Sequence, residues 1–222
     1  DRWYGGIATA DCVGCMLQCA FCWSGEPKDK PAEHGNFYTP GAVFNRLDKI
    51  ARSKRFHQLR VSGNEPALSA EHLIGILGLV EKTGYTFILE TSGIPFGADK
   101  AYVEALTGFR NLEVRVSLKG CSESEFAYLT GARPEAYQLQ INAIQYCVEN
   151  SIRVYPAVML SFSTEESYNK LRGRLNKIKQ GLGNSIDEEY VMLYPAAVKR
   201  LKKAGIKPAV CFDPKGIPVE FI

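Results

Sequence analysis

The stretch YGGIATADCVGCMLQCAFCW, residues 4–23, runs from a short apolar segment directly into a loop with four cysteines. The apolar segment, residues 4–10, predicts a first β-strand. The chain holds seven cysteines, an odd number, and the three outside this loop are scattered. Four crowded thiols without evident pairs disfavour a disulfide framework. They favour a reduced, cytoplasmic protein with a local metal site.

Outward from this loop, strand-like and helix-like segments alternate along the 222 residues. Helical patterns occupy most of the intervals between strands, and the first long helix is predicted to begin at Thr39-Pro40, an N-cap followed by proline. Six β-then-α units favour parallel strands with right-handed crossovers, in an open doubly wound sheet or in a barrel of fewer than eight units. The predicted strands are residues 4–10, 57–62, 85–90, 112–118, 152–160 and 189–194.

Composition and patterning set limits on the whole chain. No linker or repeat divides it, so residues 1–222 predict a single domain. No apolar run approaches the ~18 residues of a membrane helix, and a net charge of +3 is too small to imply a nucleic-acid partner. The third and fifth strands are apolar with little alternation, which predicts that both of their faces are buried. Residues 24–35 and the segment after Gly205 predict irregular structure.

Polar residues and glycines collect where the predicted strands end. Gly63-Asn64-Glu65 follows the second strand, residues 90–93 close the third, and residues 117–120 close the fourth. In both candidate architectures the carboxyl ends of the strands carry the functional residues. The cysteine loop and these three segments are therefore expected to lie on one rim.

The spacing Cys15-x3-Cys19-x2-Cys22 has three interpretations. A structural zinc site normally needs two ligand pairs that are well separated in sequence, and the cysteine pairs here are close together. A ferredoxin-type electron carrier uses tight cysteine runs with a fourth ligand, for which Cys12 is a candidate. The third interpretation is a [4Fe–4S] cluster held by three cysteines, with one iron left open.

A family resemblance that covers most of the chain favours the third interpretation. The C-x3-C-x2-C motif after the first strand resembles that of the radical S-adenosylmethionine superfamily, and Phe21 fits the family's aromatic residue before the last cysteine. Residues 62–66 resemble its GGE segment, with Asn64 in place of one glycine. Residues 90–93 and 117–120 resemble the DTNG and DLK segments of glycyl-radical activating enzymes. Residues 192–195 resemble a strand that lines the adenine pocket.

The resemblance implies a fold, an α/β partial TIM barrel of the (β/α)6 type with parallel strands and the cluster loop after strand one. It also implies a set of site residues. The implied cluster ligands are Cys15, Cys19 and Cys22, and the implied catalytic residue is Lys119. The implied contacts to S-adenosylmethionine are Phe21, Gly63, Asn64, Glu65, Glu90, Ser92, Arg115, Ser117 and Tyr194.

Ser117 departs from the family pattern, because it stands where the DLK segment has aspartate. Arg115, Ser117 and Lys119 alternate along the fourth strand and are expected to share one face. We expect Arg115 to bring positive charge into the barrel at a place where relatives use an aspartate with a bound cation.

The implied activity is reductive cleavage of S-adenosylmethionine at a [4Fe–4S] cluster, which gives a 5′-deoxyadenosyl radical for hydrogen abstraction. The closest resemblance is to compact activating enzymes, which act on a glycine of a partner protein and imply an electron donor such as ferredoxin or flavodoxin. One alternative is a small-molecule enzyme of the deazaguanine-precursor type. Another is RNA modification, for which ten basic against three acidic residues within 170–207 would form a patch. A non-enzyme alternative, an iron–sulfur electron carrier, leaves the polar rim unexplained.

Overall fold

Six strands form one parallel sheet in the computed structural model, which describes residues 6–215. The strands are Ile7–Asp11 (β1), Gln58–Ser62 (β2), Thr86–Thr91 (β3), Leu112–Leu118 (β4), Arg153–Met159 (β5) and Asp187–Glu189 (β6). They pair in chain order from β1 to β6, and every neighbouring pair is parallel. Among the described residues β1 and β6 do not pair, so the sheet stays open where a complete barrel would close. This is the partial TIM barrel that the resemblance implied.

Helices connect the strands and bury the outer side of the sheet. Helix ends follow local signals: Thr39 Oγ1 accepts a hydrogen bond from Ala42 N at 3.2 Å, and Pro40 is the first helical residue, as predicted. Within residues 6–215, none of the helices combines the length and hydrophobicity that crossing a bilayer requires. The helices of the described chain are Glu26–Asp29 (α1), Pro40–Lys54 (α2), Ala70–Val80 (α3), Ile94–Ala98 (α4), Lys100–Glu104 (α5), Glu123–Thr130 (α6), Tyr137–Glu149 (α7), Glu165–Ile178 (α8) and Pro195–Ala204 (α9).

The prediction that both faces of the third strand are buried is wrong. Burial alternates along β2, β3 and β4: Leu59, Phe87 and Val114 are buried on one face, whereas Arg60 and Glu90 on the other are only half-buried. Because the open barrel lacks the strands that would enclose its interior, the inner face remains a polar cavity rather than a packed core. The fifth strand fits the prediction only in residues 156–159, which are all buried.

The predicted sixth strand, residues 189–194, is divided between two sheets. The main sheet ends at Glu189, and the Val191 N–H then donates to the side-chain oxygen of Ser161 at 2.7 Å rather than to a neighbouring strand. Val191–Met192 (β7) pairs instead with Cys211–Phe212 (β8) in a small parallel sheet. The segment after Gly205 is therefore partly regular, which corrects the prediction. Residues 216–222 of that segment, and the first two residues of the strand predicted at 4–10, lie outside the described residues.

The segment 24–35 also has more structure than predicted. It contains α1 and a 3-10 turn at Pro31–Glu33, which pack beside the cysteine loop. Gly14 N donates to Pro27 O at 3.1 Å across this contact. The segment is thereby part of the surroundings of the predicted metal site, and its Lys28 side chain is buried.

Candidate active site

The carboxyl ends of the strands surround one cavity of about 660 Å³. Its lining comes from the cysteine loop, from all six strands of the main sheet and from residues 190–194. Cys15, Cys19 and Cys22 all line it, whereas Cys12 does not. The rim expected from the sequence is therefore present as a single concave surface.

Twelve of the thirteen residues predicted for the site line this cavity, and Glu65 is the exception. Agreement of this kind follows from the topology, because parallel strands deliver their carboxyl ends to one edge of the sheet. The twelve are Cys15, Cys19, Phe21, Cys22, Gly63, Asn64, Glu90, Ser92, Arg115, Ser117, Lys119 and Tyr194.

Backbone hydrogen bonds hold the cysteine loop against the carboxyl end of α6. Gln18 N donates to Thr130 O at 3.1 Å, and Cys22 N donates back to Cys19 O at 3.1 Å, which makes a tight turn. All seven cysteines are free, as the sequence predicts. These backbone contacts help to hold the loop so that its thiols face the cavity.

The thiols of the loop suit a cluster better than a single metal ion. Burial raises the pKa of the Cys19 thiol to about 12 and also raises the pKa of Cys15. Both thiols are therefore protonated at neutral pH in the metal-free chain, and metal loading releases their protons. Within residues 6–215, no three His, Cys, Asp or Glu side chains are arranged to hold one ion. Three cysteines that line one cavity fit a polynuclear iron–sulfur group, because such groups are held by cysteine thiolates.

The segment after β2 has a backbone conformation that its sequence explains. Gly63 and Asn64 have φ values of 69° and 42°, in the left-handed region that glycine and asparagine tolerate best. A Cβ on Gly63 would lie 2.8 Å from the Cβ of Asp11. Asn64 Nδ2 donates to Cys12 O at 2.6 Å, and its Oδ1 is buried without a hydrogen-bond partner among the described residues. The cavity edge thus holds an unused acceptor, which fits a ligand with an amino group.

Glu65 lies behind the cavity rather than on its surface. Its carboxylate is 1% exposed and accepts hydrogen bonds from Ala67 N at 3.1 Å, Thr91 Oγ1 at 2.6 Å and Ser92 N at 2.8 Å. The hydroxyl of Ser92 is a fourth donor. Because donors of the protein occupy both oxygens, Glu65 ties the loop after β2 to the end of β3. The structure gives it this positioning role in place of the predicted cofactor contact.

Gln140 of α7 connects the ends of β3 and β4, a role that the sequence did not predict. Its side chain is fully buried, and Nε2 donates to Ser92 O at 2.5 Å and to Ser117 O at 3.0 Å. Its Oε1 accepts a hydrogen bond from Lys119 N at 3.2 Å. A glutamine within a helical pattern gives no sign of this role, because glutamine is usually exposed.

A chain of charged and polar groups crosses the wall formed by β4 and β6. Arg115 donates to Asp187 Oδ2 from Nε at 2.9 Å and to Glu189 Oε1 from Nη1 at 2.7 Å. Ser117 Oγ donates to Glu189 Oε2 at 2.9 Å and accepts from Lys119 Nζ at 2.6 Å. These contacts confirm that Arg115, Ser117 and Lys119 share one face.

The charge of Arg115 is nevertheless not free, which corrects the expectation that it brings net positive charge into the barrel. Burial disfavours the guanidinium, yet Glu189 and Asp187 outweigh burial and hold the pKa of Arg115 above its ordinary value. Lys119 differs, because its hydrogen-bond partner Ser117 is neutral. In the part of the chain that the structure describes, no carboxylate lies within ion-pair distance of Lys119. Its ammonium is the cation on this wall that remains open to an anionic ligand.

Three further residues that line the cavity were not predicted from the sequence. Arg60 donates to Glu90 Oε1 at 3.1 Å and to Thr9 Oγ1 at 3.3 Å across the floor of the cavity. The alternation of Gln58, Arg60 and Ser62 along β2 could have predicted that Arg60 faces the cavity, just as alternation along β4 predicted the direction of Arg115. Glu189 is the second of these residues. It is the first residue of the predicted strand 189–194, whose bounds were wrong, so the direction of its side chain could not be inferred.

Lys28 is the third of these residues, and it is a buried cation beside the cysteine loop. Its side chain is 1% exposed, and Nζ donates to Gln18 Oε1 at 2.5 Å and to Asp29 Oδ1 at 2.5 Å. Asp29 also pairs with Arg200 of α9. This group therefore links the cysteine loop, α1 and α9. Nothing in the sequence indicated it, because a lysine in an apparent loop is normally exposed.

Replacing Glu189 by glutamine is expected to lower the free energy of unfolding by about 1.5–3 kcal/mol at neutral pH, because it removes charge-assisted hydrogen bonds. Burial alone would raise the pKa of Glu189, but Arg115 and Lys119 hold it below its ordinary value of 4.5. The stabilisation is present above pH 4.5 and is lost as the pH falls through the lowered pKa. Urea unfolding across acidic pH should show wild type and variant converging. A difference that stays constant with pH would contradict the assignment, and Glu166→Gln, at an exposed pair, is the control.

The structure is a partial barrel of parallel strands, with three thiols and a polar rim around one cavity. This arrangement is typical of proteins that bind an iron–sulfur cluster together with a small cofactor at the carboxyl edge of the sheet. A model of the radical SAM superfamily matches residues 11–175, and the chain belongs to that superfamily. The family uses a [4Fe–4S] cluster and S-adenosylmethionine. A search of curated protein sequences finds no significant match.

Solved structures of radical SAM proteins share the fold. SuiB of Streptococcus suis, solved with S-adenosylmethionine and with its precursor peptide SuiA, has a TM-score of 0.64 and 18% identity over 78% of this chain. A radical SAM methyltransferase from Sphaerobacter thermophilus has a TM-score of 0.60 and 16% identity over 95% of this chain and 67% of its own length. The protein anSMEcpe, solved with AdoMet and the Kp18Cys peptide, has a TM-score of 0.59 and 13% identity over 84% of this chain and 52% of its own. The matched region spans only 38% of SuiB.

Proposed function

We propose that this chain cleaves S-adenosylmethionine reductively and uses the 5′-deoxyadenosyl radical to remove a hydrogen atom from a polypeptide substrate, as in the activation of a glycyl-radical partner. The observation that carries the proposal is the convergence of three thiols and twelve of thirteen predicted site residues on one cavity. An electron carrier would need the thiols alone. It would have no use for the polar loops that end β2, β3 and β4.

In this proposal Cys15, Cys19 and Cys22 bind the cluster. When bound, it supplies one electron at low potential. The donor set fits this group, because the three thiols share one cavity wall and Cys12 is outside the lining. The reaction balances as one electron plus S-adenosylmethionine giving methionine and the 5′-deoxyadenosyl radical. That radical then takes a hydrogen atom from the substrate and leaves a substrate radical.

The polar loops hold S-adenosylmethionine in the proposal. Asn64 Oδ1, the unused acceptor at the cavity edge, receives the amino group of the methionine portion. Lys119 contributes the open cation for its carboxylate, and Ser117 holds that ammonium in place. Glu90 and Ser92 face the ribose.

Phe21 and Tyr194 lie on the same cavity and are assigned to the adenine. Arg115 and Gly63 complete the lining. The charge of Arg115 is offset by Asp187 and Glu189, and Gly63 allows the backbone to approach the cofactor closely. Because positioning supplies much of the rate in such a reaction, the residues that fix these loops matter as much as those in contact.

The open side of the sheet supports a polypeptide substrate. Among the described residues β1 and β6 are unpaired edges on either side of the cavity, which leaves a lateral entrance. SuiB and anSMEcpe share the fold and were solved with peptides. A glycine loop of a partner protein reaches such an entrance without unfolding the barrel.

A second candidate, a small polar substrate, is favoured by the floor of the cavity. Two ion pairs line the cavity: Arg60 with Glu90 at 3.1 Å on the floor, and Arg115 with Glu189 at 2.7 Å on the adjoining wall. Charged floors of this kind suit polar small molecules or nucleosides better than apolar ligands.

Anaerobic reconstitution with iron and sulfide, followed by reduction and addition of S-adenosylmethionine, tests the proposed chemistry. We expect equal amounts of 5′-deoxyadenosine and methionine. Deuterium carried into 5′-deoxyadenosine from a glycine-deuterated partner protein would support the polypeptide substrate, and deuterium from a small molecule would support the second candidate. A reduced cluster that neither binds nor cleaves S-adenosylmethionine would overturn the proposal in favour of an electron carrier.

A further inference from the structure

We infer that the exposed basic face of α9, formed by Lys199, Lys202 and Lys203, docks an acidic one-electron donor protein beside the cysteine loop. The inference rests on the proposed function, since reductive cleavage needs one electron from outside for each turnover. The reduced donor gives up that electron and becomes one-electron oxidised. The partner is therefore a reduced, acidic electron-transfer protein.

The charge of α9 is one-sided and unsatisfied. The helix, PAAVKRLKKA, has four basic residues and no acidic one. Lys199, Lys202 and Lys203 are exposed, and no carboxylate in residues 6–215 lies within ion-pair distance of them. Arg200 is the exception, because it pairs with Asp29. Three unpaired lysines on ten residues form a local positive field that attracts an acidic surface.

The basic residues of α8 differ from those of α9. Lys170 pairs with Glu166 at 2.6 Å, and Arg174 pairs with Glu123 at 2.7 Å. Arg172 donates to Gly183 O at 3.0 Å within its own neighbourhood. The ten basic residues counted between 170 and 207 therefore do not act as one patch. Lys177, Lys179 and Lys207 also lack an ion-pair partner among the described residues, but α9 brings three unpaired lysines together on one short helix.

Contacts link α9 to the cysteine loop through the segment 25–29, which contains α1. Arg200 Nη2 donates to Gly25 O at 2.8 Å, and a Cβ on Gly25 would lie 3.4 Å from Ala196 Cβ. Asp29, the partner of Arg200, also binds Lys28, whose Nζ reaches Gln18 between two of the cysteines. One electron passes between proteins only where their centres approach closely, so a donor has to bind near this loop.

Helix geometry puts Lys203 on the side that faces the loop and Lys199 at the edge of that side. Each residue turns the helix by about 100°, so Lys203 lies about 60° and Lys199 about 100° from Arg200 around the axis. Of the carboxylates on the adjoining segment, Asp29 and Glu33 pair with Arg200 and Lys30, and Glu26 brings one negative charge against three lysines. The loop-facing side of α9 therefore stays positive.

The size and composition of α9 favour a protein donor over a nucleic acid. A helix of ten residues is about 15 Å long, which suits the small interfaces of weak electron-transfer encounters. Single-stranded nucleic acids are held by basic grooves that also carry aromatic stacking residues, and α9 contains no aromatic residue.

The test compares two ways of reducing the same protein. In Lys199→Glu/Lys203→Glu, dithionite-driven formation of 5′-deoxyadenosine should stay within about twofold of wild type, whereas kcat/KM for reduced flavodoxin should fall about tenfold or more. The control is Lys49→Glu/Lys177→Glu, which changes the same charge at two exposed helical lysines, one in the body of α2 and one in the last turn of α8. The control should keep the flavodoxin-driven rate.

Equal flavodoxin-driven rates in both double variants would overturn the inference. So would loss of single-stranded RNA binding in the α9 variant, measured by fluorescence anisotropy, without loss of the flavodoxin-driven rate. Failure of the proposed function is a separate result, in which wild type gives no 5′-deoxyadenosine even with dithionite. In that case the affinity for flavodoxin, followed by its flavin fluorescence, still decides whether α9 is the docking face.

Discussion

Cys19→Ala is expected to lose the iron–sulfur cluster and reduce S-adenosylmethionine cleavage to background, a fall of at least about a thousandfold. Cys19 is the most enclosed of the three cavity thiols at 7% exposure. Without its thiolate, two ligands remain on the loop, too few to hold a cluster against water. The measurement is iron and sulfide per chain after anaerobic reconstitution, together with 5′-deoxyadenosine formed under dithionite.

Two matched cysteine variants control for nonspecific effects. Cys147 lies in α7, is fully buried and is remote from the cavity lining, so Cys147→Ala should keep iron content and cleavage near wild type. Cys12→Ala is the sharper comparison, because Cys12 precedes Cys15 by three residues yet does not line the cavity. If Cys12→Ala lost the cluster as Cys19→Ala does, the site would have four protein ligands. That result would favour the electron carrier over the radical enzyme.

The sequence was sufficient for those parts of the structure that depend on strand order. Parallel strands deliver their carboxyl ends to one edge, so naming the segments after β2, β3 and β4 was enough to locate Gly63, Ser92 and Lys119 on one cavity. The spacing of the cysteines sufficed for the same reason, because the loop that carries them follows β1 directly. Alternation within β4 correctly put Arg115 on the inner face.

What the sequence left out depends on which buried polar group meets which. Gln140 and Glu65 are each paired through contacts between segments distant in the chain, and no local pattern encodes such contacts. Lys28 is paired within ten residues, but its burial depends on how α1 folds back on the cysteine loop. The same holds for Arg115, whose position was predicted but whose charge is offset by β6. The predicted sixth strand began at Glu189, two residues too late, so the two carboxylates that offset the charge of Arg115 were not predicted.

Glu65→Ala is expected to lower the free energy of unfolding by about 3–5 kcal/mol, because it leaves several buried donors without an acceptor. The donors are Ala67 N, Thr91 Oγ1 and both polar groups of Ser92. None of them reaches water easily, since Thr91 and Ser92 are themselves buried. Urea unfolding measures the loss. Glu90→Ala is the matched control, because Glu90 is partly exposed on the cavity floor and its single ion pair with Arg60 contributes about 1 kcal/mol or less.

The same substitution should weaken S-adenosylmethionine binding although Glu65 does not line the cavity. Ser92 lines it, and its backbone and hydroxyl are fixed by Glu65 from behind. We expect about a 10–100-fold rise in Kd for the cofactor, the usual range for a supporting residue around a bound group, measured at a temperature where the variant is folded. Glu65→Gln keeps one acceptor oxygen and should recover part of both losses. If Glu65→Ala lost stability but bound the cofactor as tightly as wild type, Glu65 would serve the fold alone, and the loop after β3 would be held in place by Gln140 without it.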